Sequence, residues 1–202
     1  MRIVLLVEGQ TERAFLPVLR SYLASKLSGR MPKLDPWPYH GLIPTRDKLR
    51  RVVEDALTRR PIADAVIALT DVYTGTREFV DAEDAKAKMR AWVGANERFY
   101  PHVASYDFEA WLLPYWSTIQ KLAKHNMSAP SGPPERVNHD RPPAYRIKEI
   151  FERGTCRDSY VKPRDALRIL KENSLSVAVE ACPELQALVN TIMALAGGAD
   201  AP

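Results

Sequence analysis

The chain has 202 residues, of which 46% are hydrophobic and 27% charged, and it carries a net charge of +4. This composition excludes a wholly disordered chain and supplies enough apolar residues for the core of one α/β domain, with or without a small helical appendage. The basic excess is mild, so it is compatible with a nucleic-acid partner without demonstrating one.

Neither export nor membrane insertion is indicated by the sequence. The apolar run at residues 3–7 is too short for a signal peptide, and no stretch approaches the ~20 apolar residues that a membrane helix needs. Cys156 and Cys182 have no partners at zinc-ligand spacing, so we expect reduced thiols and no zinc site. We therefore expect a cytoplasmic protein.

The first predicted element is a strand at residues 3–7, because a continuous apolar run is typical of a strand covered on both faces in a parallel sheet. Gly9 follows it, and we expect the turn to need positive φ or a close backbone approach. Thr11 is expected to cap the next helix, with Glu12 in its first turn. Pro17 predicts a kink or a short first turn.

Helices and strands alternate in the prediction as far as residue 113. Residues 33–39 are expected to form an extended edge segment, since Pro36 and Pro38 disfavour a central strand. The other elements predicted in this part are a helix at 47–57, a strand at 65–69, a helix at 81–99, a weaker strand at 101–106 and a helical segment at 107–113. The alternation predicts βαβ units.

The last third of the chain has a different character. Residues 129–143 contain five prolines and are expected to form a long loop. Helices are predicted at 144–152, 163–172 and 183–195. We therefore expect an α/β core at 1–113, with the loop and helices of 114–202 packed on it as one compact unit.

Three acidic residues follow predicted strands: Glu8, Asp71 and Glu109. Ligands of parallel α/β sheets bind at the carboxyl ends of strands, so these carboxylates converge if their strands are neighbours. A single acidic residue after a strand is more often a turn or cap residue. Three such residues favour a site for Mg²⁺ or Mn²⁺, because a hard cation relieves the repulsion between carboxylates. Such an ion supports phosphoryl chemistry.

Residues 7–12, VEGQTE, resemble the opening motif of Toprim domains, in particular of the overcoming-lysogenization-defect (OLD) type nucleases and their stand-alone relatives. The resemblance implies that Glu8 is an acid/base residue close to a metal. The start of the following helix also offers backbone N–H groups to an anion. We therefore expect Gly9, Thr11 and Glu12 to contribute to substrate binding.

Residues 69–75, LTDVYTG, resemble the Asp-x-Asp motif of Toprim domains. Asp71 takes the place of the first aspartate, and Tyr73 stands where the second is expected. A phenol is a poorer Mg²⁺ ligand than a carboxylate, so Tyr73 casts doubt on two-metal chemistry and is kept as a substrate-binding candidate.

With Tyr73 at this position, the sequence resembles a set of small, poorly characterised bacterial Toprim-like proteins. Three further segments carry that resemblance: DFEAWLL at 107–113, SYVKPRDALRIL at 159–170 and ACPEL at 181–185. It implies a Toprim-like, Rossmann-like fold: a mostly parallel sheet flanked by helices, with a C-terminal helical cap. Glu109 matches the acidic position of the first segment.

Other polar residues are weaker candidates. Asp107 shares a face with Glu109 only if a strand continues through both residues. Lys162, at a helix entrance beside Tyr160, is expected to bind substrate phosphate, although a solvated helix face explains it equally simply. The Pro-rich loop contributes residues that either close over a substrate or are simply exposed: Arg136, His139 and Arg141.

The sequence thus supports a Mg²⁺-dependent, Toprim-type nuclease that acts on nucleic-acid phosphodiesters. The resemblance implies a place in bacterial defence, beside an ATPase partner. The alternative is a catalytically degenerate nucleic-acid-binding, regulatory or interaction subunit of a defence system, which Tyr73 favours. The oligomeric state stays open.

Overall fold

The computed structural model describes residues 1–72, 78–137, 140–154 and 159–197. Its strands are β1 (Arg2–Val7), β2 (Lys33–Pro38), β3 (Ala65–Val72) and β4 (Phe99–Ser105). Its helices are α1 (Gln10–Lys26), α2 (Arg46–Thr58), α3 (Ala82–Val93), α4 (Trp116–Ala123), α5 (Pro143–Arg153), α6 (Lys162–Lys171), α7 (Leu175–Ala181) and α8 (Pro183–Leu195). Two 3-10 helices, Phe108–Tyr115 and Pro134–Arg136, complete the described elements.

The four strands form one parallel sheet in the order β2-β1-β3-β4. The predicted α/β class, the parallel sheet flanked by helices and the helical C-terminal region are therefore confirmed. β2 lies at an edge, which tolerates Pro36 and Pro38 because an edge strand has one row of unpaired backbone groups. β1, β3 and β4 are direct neighbours, so the residues that follow them meet at one end of the sheet.

The two faces of the sheet are buried against different sets of helices. Val4 and Val66 belong to an apolar cluster with residues of α2 and α3. Leu5 and Ile67 belong to a second cluster, which takes in α1 and the C-terminal helices. The continuous apolar runs in the sequence follow from this double coverage. No helix within the described ranges is long and apolar enough to cross a membrane.

The start of α1 differs from the sequence prediction. Gly9, not Thr11, is the N-cap residue, and the carboxylate of Glu12 accepts a hydrogen bond of 2.9 Å from the Gly9 N–H. This bond is one half of a capping box. The predicted short first turn is also wrong, since α1 continues through Pro17, whereas the predicted kink stays a prediction. Burial of apolar residues such as Phe15 along α1 offsets the cost of a proline inside the helix.

Other element ends shift by several residues. α3 ends at Val93, well before residue 99, because Gly94 takes a φ of 86°, a conformation that favours glycine. β3 continues beyond residue 69 to Val72. The short helix α7 was not predicted.

The C-terminal region packs on the core in one apolar cluster that includes three aromatic residues of the core, Phe15, Phe108 and Trp111. Trp111 is almost completely buried, and its ring centroid lies 5.9 Å from that of Phe15 and 5.2 Å from that of Phe108. Its indole N–H donates to the carboxylate of Glu135 at 2.9 Å. α6 packs against α1 on the same face. Residues far apart in sequence are thereby brought to the end of the sheet.

Gly154 gives a direct test of this packing. A Cβ atom built there would lie 1.8 Å from the carbonyl oxygen of Ala123 at the end of α4, whereas one at Gly29 meets nothing within 4 Å. We expect Gly154→Ala to lower the free energy of unfolding by about 1–3 kcal/mol or more, because the backbone must move. Urea denaturation measures this, and Gly29→Ala is the matched control. Equal midpoints for the two variants would contradict the close approach of α4 and α5.

Candidate functional site

Glu8 lies directly after β1 and is held by two donors at the end of β3. Its Oε1 accepts the Asp71 N–H at 3.0 Å and the hydroxyl of Thr70. Burial raises the pKa of Glu8 to about 6, although both hydrogen bonds oppose that rise. The side chain is thus fixed in place and is poised to exchange a proton near neutral pH.

Asp71 lies inside β3, not after it as predicted, because the strand runs on to Val72. Burial raises its pKa well above the ordinary value, and the neighbouring charges of Glu8 and Asp107 raise it further. The structure therefore brings Asp71 and Glu8 together, as the sequence predicted.

Glu109 does not follow its strand directly. It lies in the 3-10 helix that follows β4 and is completely buried. One carboxylate oxygen accepts from the hydroxyl of Tyr160 at 3.2 Å, and the other lies 3.1 Å from the Lys162 ammonium. Both partners come from the C-terminal region, so residues about fifty positions apart complete this part of the site.

Asp107 is a stronger member of the site than the sequence indicated. It is the N-cap residue of the same 3-10 helix, and its Oδ2 accepts the Ala144 N–H at 3.1 Å. Its Oδ1 is buried and has no hydrogen-bond partner within the described residues. Burial raises the pKa of Asp107 to about 7, and the charge of Glu109 adds to the rise. β4 ends before Phe108, yet the carboxylates of Asp107 and Glu109 still interact, because both side chains are buried.

Lys162 is the cation that faces these carboxylates. It is the first residue of α6, and its side chain is half-exposed. Burial lowers the pKa of Lys162, but the charges of Glu109, Asp107 and Asp71 outweigh that effect, and the net pKa is raised. The sequence predicted that Lys162 would bind phosphate. In the structure it neutralises part of the carboxylate cluster.

The residues at the start of α1 line the same region. Burial raises the pKa of Glu12, and the charge of Glu109 contributes to the rise. Gly9 has an extended backbone with φ of −161°, and an added Cβ would lie at an ordinary 3.6 Å from Glu12. The expectation that Gly9 needs positive φ or a close approach is therefore wrong. Thr11 is buried within the first turn of α1.

The four carboxylates Glu8, Asp71, Asp107 and Glu109, here called the acidic cluster, have the donor chemistry of a site for a hard divalent ion. The unpartnered oxygen of Asp107 and the raised pKa values of Glu8 and Asp71 indicate groups that a cation would stabilise. Yet no three Asp, Glu, His or Cys side chains in the described ranges form a group arranged to hold a metal. Tyr73 and His139 lie outside the described residues.

Comparison with known protein families assigns the chain to one of them. A family model described as Domain of unknown function (DUF4276) matches residues 7–193. The chain belongs to the DUF4276 family. The match includes every member of the acidic cluster as well as Lys162, so the site lies inside the segment that defines the family. No curated protein sequence matches the chain significantly.

Solved structures resemble the DUF4276 chain in fold. The C-terminal region of the Burkholderia pseudomallei OLD protein aligns with a TM-score of 0.51 at 15% identity, over 94% of this chain and 96% of that chain. The C-terminal region of the Xanthomonas campestris pv. campestris OLD protein aligns with a TM-score of 0.47 at 15% identity, over 96% of each chain. The first likeness agrees with a Toprim-like fold, and at this identity it concerns the fold alone.

The raised pKa values predict how stability depends on pH in metal-free protein. The pKa of Asp107 rises from an ordinary 3.8 to about 7 on folding, so the folded state binds more protons between these values. The stability contribution is full below about pH 4 and is lost as pH rises through 7. Since Asn keeps an acceptor for Ala144 without a charge, Asp107→Asn should be more stable than wild type at pH 8, by on the order of 2–4 kcal/mol.

Urea unfolding in EDTA at pH 5 and pH 8 measures the effect. Asp55→Asn is the control, because Asp55 forms a surface ion pair with Arg59 in which the two side chains are 50% and 79% exposed. We expect that control to change stability by less than about 0.5 kcal/mol. A pH 8 stability of Asp107→Asn no higher than that of wild type would contradict the buried charge.

Proposed function

We propose that this DUF4276 protein is a metal-dependent nuclease of Toprim type that cleaves nucleic-acid phosphodiesters. The observation that carries the proposal is the acidic cluster: Glu8, Asp71, Asp107 and Glu109 are gathered at the carboxyl ends of three neighbouring parallel strands. Retaining four carboxyl groups together, of which Asp107 and Glu109 are buried, is costly unless they serve a ligand. A hard divalent cation and a phosphate together match that charge.

Glu8 and Asp71 would hold Mg²⁺ or Mn²⁺, and the unpartnered Oδ1 of Asp107 would supply a further oxygen. Glu109 would also bind the ion once its contact with Lys162 is broken. When bound, the ion would stabilise negative charge on the phosphate and lower the pKa of a coordinated water.

The chain's own residues divide the remaining tasks. Glu8, with a pKa of about 6, would take or give a proton at neutral pH. Thr70 and the Asp71 N–H hold its carboxylate in one orientation. Lys162, once released from Glu109, would bind a phosphate oxygen, while Tyr160 keeps Glu109 in position. Gly9, Thr11 and Glu12, at the start of α1, would contribute to substrate binding.

The biological setting rests on the resemblance to OLD-type nucleases and on the matching fold. We propose that the protein acts in bacterial defence, beside an ATPase partner. The net charge of +4 is compatible with a nucleic-acid substrate. Tyr73 stands at the position of the second aspartate and would contact substrate, not metal.

Glu8→Gln tests the catalytic assignment. The amide keeps the size of the side chain but cannot carry the charge or exchange the proton, so cleavage should fall at least about 100-fold. Single-stranded DNA, double-stranded DNA and RNA are incubated with Mg²⁺ or Mn²⁺, and products are resolved by gel. Glu54→Gln is the control, because Glu54 is exposed on α2.

The same variants separate folding from function. Wild type should gain thermal stability on adding Mn²⁺, and Glu8→Gln should lose most of that gain, because binding to the folded state alone stabilises it. Cleavage that survives Glu8→Gln would exclude the proposed acid/base role.

A second function is favoured by one specific observation. The Lys162 ammonium lies 3.1 Å from Glu109, and the described residues contain no group of three side chains arranged to hold a metal. In this arrangement the lysine serves as the cation of the site, and the protein is a nucleic-acid-binding or regulatory subunit without cleavage. Tyr73, in place of a carboxylate, agrees with that alternative.

The dependence of affinity on salt distinguishes the two functions. A binding subunit should bind oligonucleotides without divalent metal, with an affinity that falls steeply as salt rises. If Lys162 contacts a phosphate, Lys162→Gln should reduce the slope of log affinity against log salt by about 1. Fluorescence anisotropy in EDTA measures both. Metal-dependent cleavage by wild type would refute the alternative.

A further inference from the structure

A cavity of about 390 Å³ lies beside the acidic cluster, at the same end of the sheet. Its wall includes Val72 at the end of β3, Tyr106 after β4, Asp81 at the start of α3 and Pro183 at the start of α8. Arg136 of the Pro-rich loop closes one side. None of these residues belongs to the acidic cluster.

The cavity and the acidic cluster are adjacent along the chain. Val72 follows Asp71, and Tyr106 precedes Asp107. The Tyr106 N–H donates to the Val72 carbonyl at 3.0 Å, which fixes the two walls to each other. Val72 packs with the α2 and α3 side of the sheet, whereas Leu69 packs with the α1 side. The cavity therefore opens on the α3 side of the sheet end that carries the acidic cluster.

Tyr106 is held in an unusual backbone conformation. Its φ is 68°, in the left-handed region that residues other than glycine rarely adopt. Such conformations concentrate at functional sites, where the surrounding structure holds a side chain in a required place. Here the conformation places a tyrosine in the wall of the cavity, directly before a member of the acidic cluster. An aromatic wall is a stacking surface for a planar ring.

The charges of the cavity select against phosphate. Four carboxylates line it, from Asp81, Glu83, Glu135 and Glu184, together with the guanidinium of Arg136. Lys86 pairs with Glu83 and Glu184, so the lining keeps a smaller net negative charge. Both oxygens of Glu135 are occupied, by the Trp111 and Glu184 N–H groups. Among the described residues, Asp81 accepts at Oδ1 alone, in a 2.8 Å bond from the Asp84 N–H.

The second oxygen of Asp81 therefore retains full acceptor capacity within the described part of the chain. A neutral planar ring that carries an N–H donor suits this lining, whereas an anion does not.

We infer that this cavity binds a nucleobase with an exocyclic amino group, in the nucleotide next to the phosphodiester at the acidic cluster. The inference rests on the proposed nuclease function and names a subsite for its substrate. Tyr106 stacks on the base, and Asp81 accepts from its amino group. Cytosine and adenine present such a donor, whereas thymine presents a carbonyl oxygen at the corresponding edge.

The test uses the full chain with ten-nucleotide oligo(dC), oligo(dA) and oligo(dT). Fluorescence anisotropy in EDTA measures the affinity, and gel analysis in Mg²⁺ measures the cleavage. We expect wild type to bind oligo(dC) and oligo(dA) about 10-fold more tightly than oligo(dT). Tyr106→Asn removes the ring with a residue that tolerates the left-handed backbone, and it should weaken binding of all three about 10-fold. Tyr106→Phe keeps the ring and should bind like wild type.

Asp81→Ser isolates the amino-group contact. Serine retains the cap of α3 but has no carboxylate, so this variant should lose the discrimination against oligo(dT) without losing affinity for it. Equal affinity and cleavage for the three oligonucleotides would overturn the subsite while leaving the nuclease function intact. Absence of both binding and cleavage would overturn the two together. A lysine-rich peptide is tested in the same way. If Asp81→Ser loses binding of the peptide but binds the oligonucleotides like wild type, the cavity is assigned to a protein partner instead.

Discussion

The contact between the Lys162 ammonium and the Glu109 carboxylate connects the two parts of the chain electrostatically. Glu109 is completely buried and its charge raises the pKa of Asp107, while the charge of Glu8 raises the pKa of Asp71. One half-exposed lysine supplies the positive charge that faces this group. The remaining charge imbalance makes the region a place where a cation or a proton must bind.

The parallel sheet determines where this imbalance occurs. β1, β3 and β4 are adjacent, so their carboxyl ends deliver Glu8, Asp71 and the Asp107 segment to one edge. The C-terminal helices then close that edge from the α1 side, where α6 packs against α1 and brings Lys162 in. The proposed catalytic role requires Lys162 to be released from Glu109, whereas the binding alternative keeps this contact.

The same edge has a second, different lining on the α3 side. There the carboxylates are mostly engaged in fixed hydrogen bonds or ion pairs, and a tyrosine and two prolines provide apolar surface. On the proposed function, a nucleic-acid strand that crosses the sheet end would meet a charged site for its phosphate and a cavity for a base. The strained backbone of Tyr106 lies between these two surfaces.

The sequence by itself determined the parallel α/β core, because continuous apolar runs are local signals. It placed Glu8 and Asp71 beside strands, but their convergence required β1 and β3 to be neighbours, which the tertiary structure decided. It could not decide the role of Lys162 or the environment of Asp107. Lys162 contacts the Glu109 side chain, 53 positions away, and Asp107 accepts from the Ala144 backbone N–H, 37 positions away. The left-handed backbone of Tyr106 likewise accompanies a contact with Val72, whereas the cap at Gly9 is a local contact with Glu12, three residues on. Tertiary packing decided the long-range features because burial and charge act between residues that are distant in sequence.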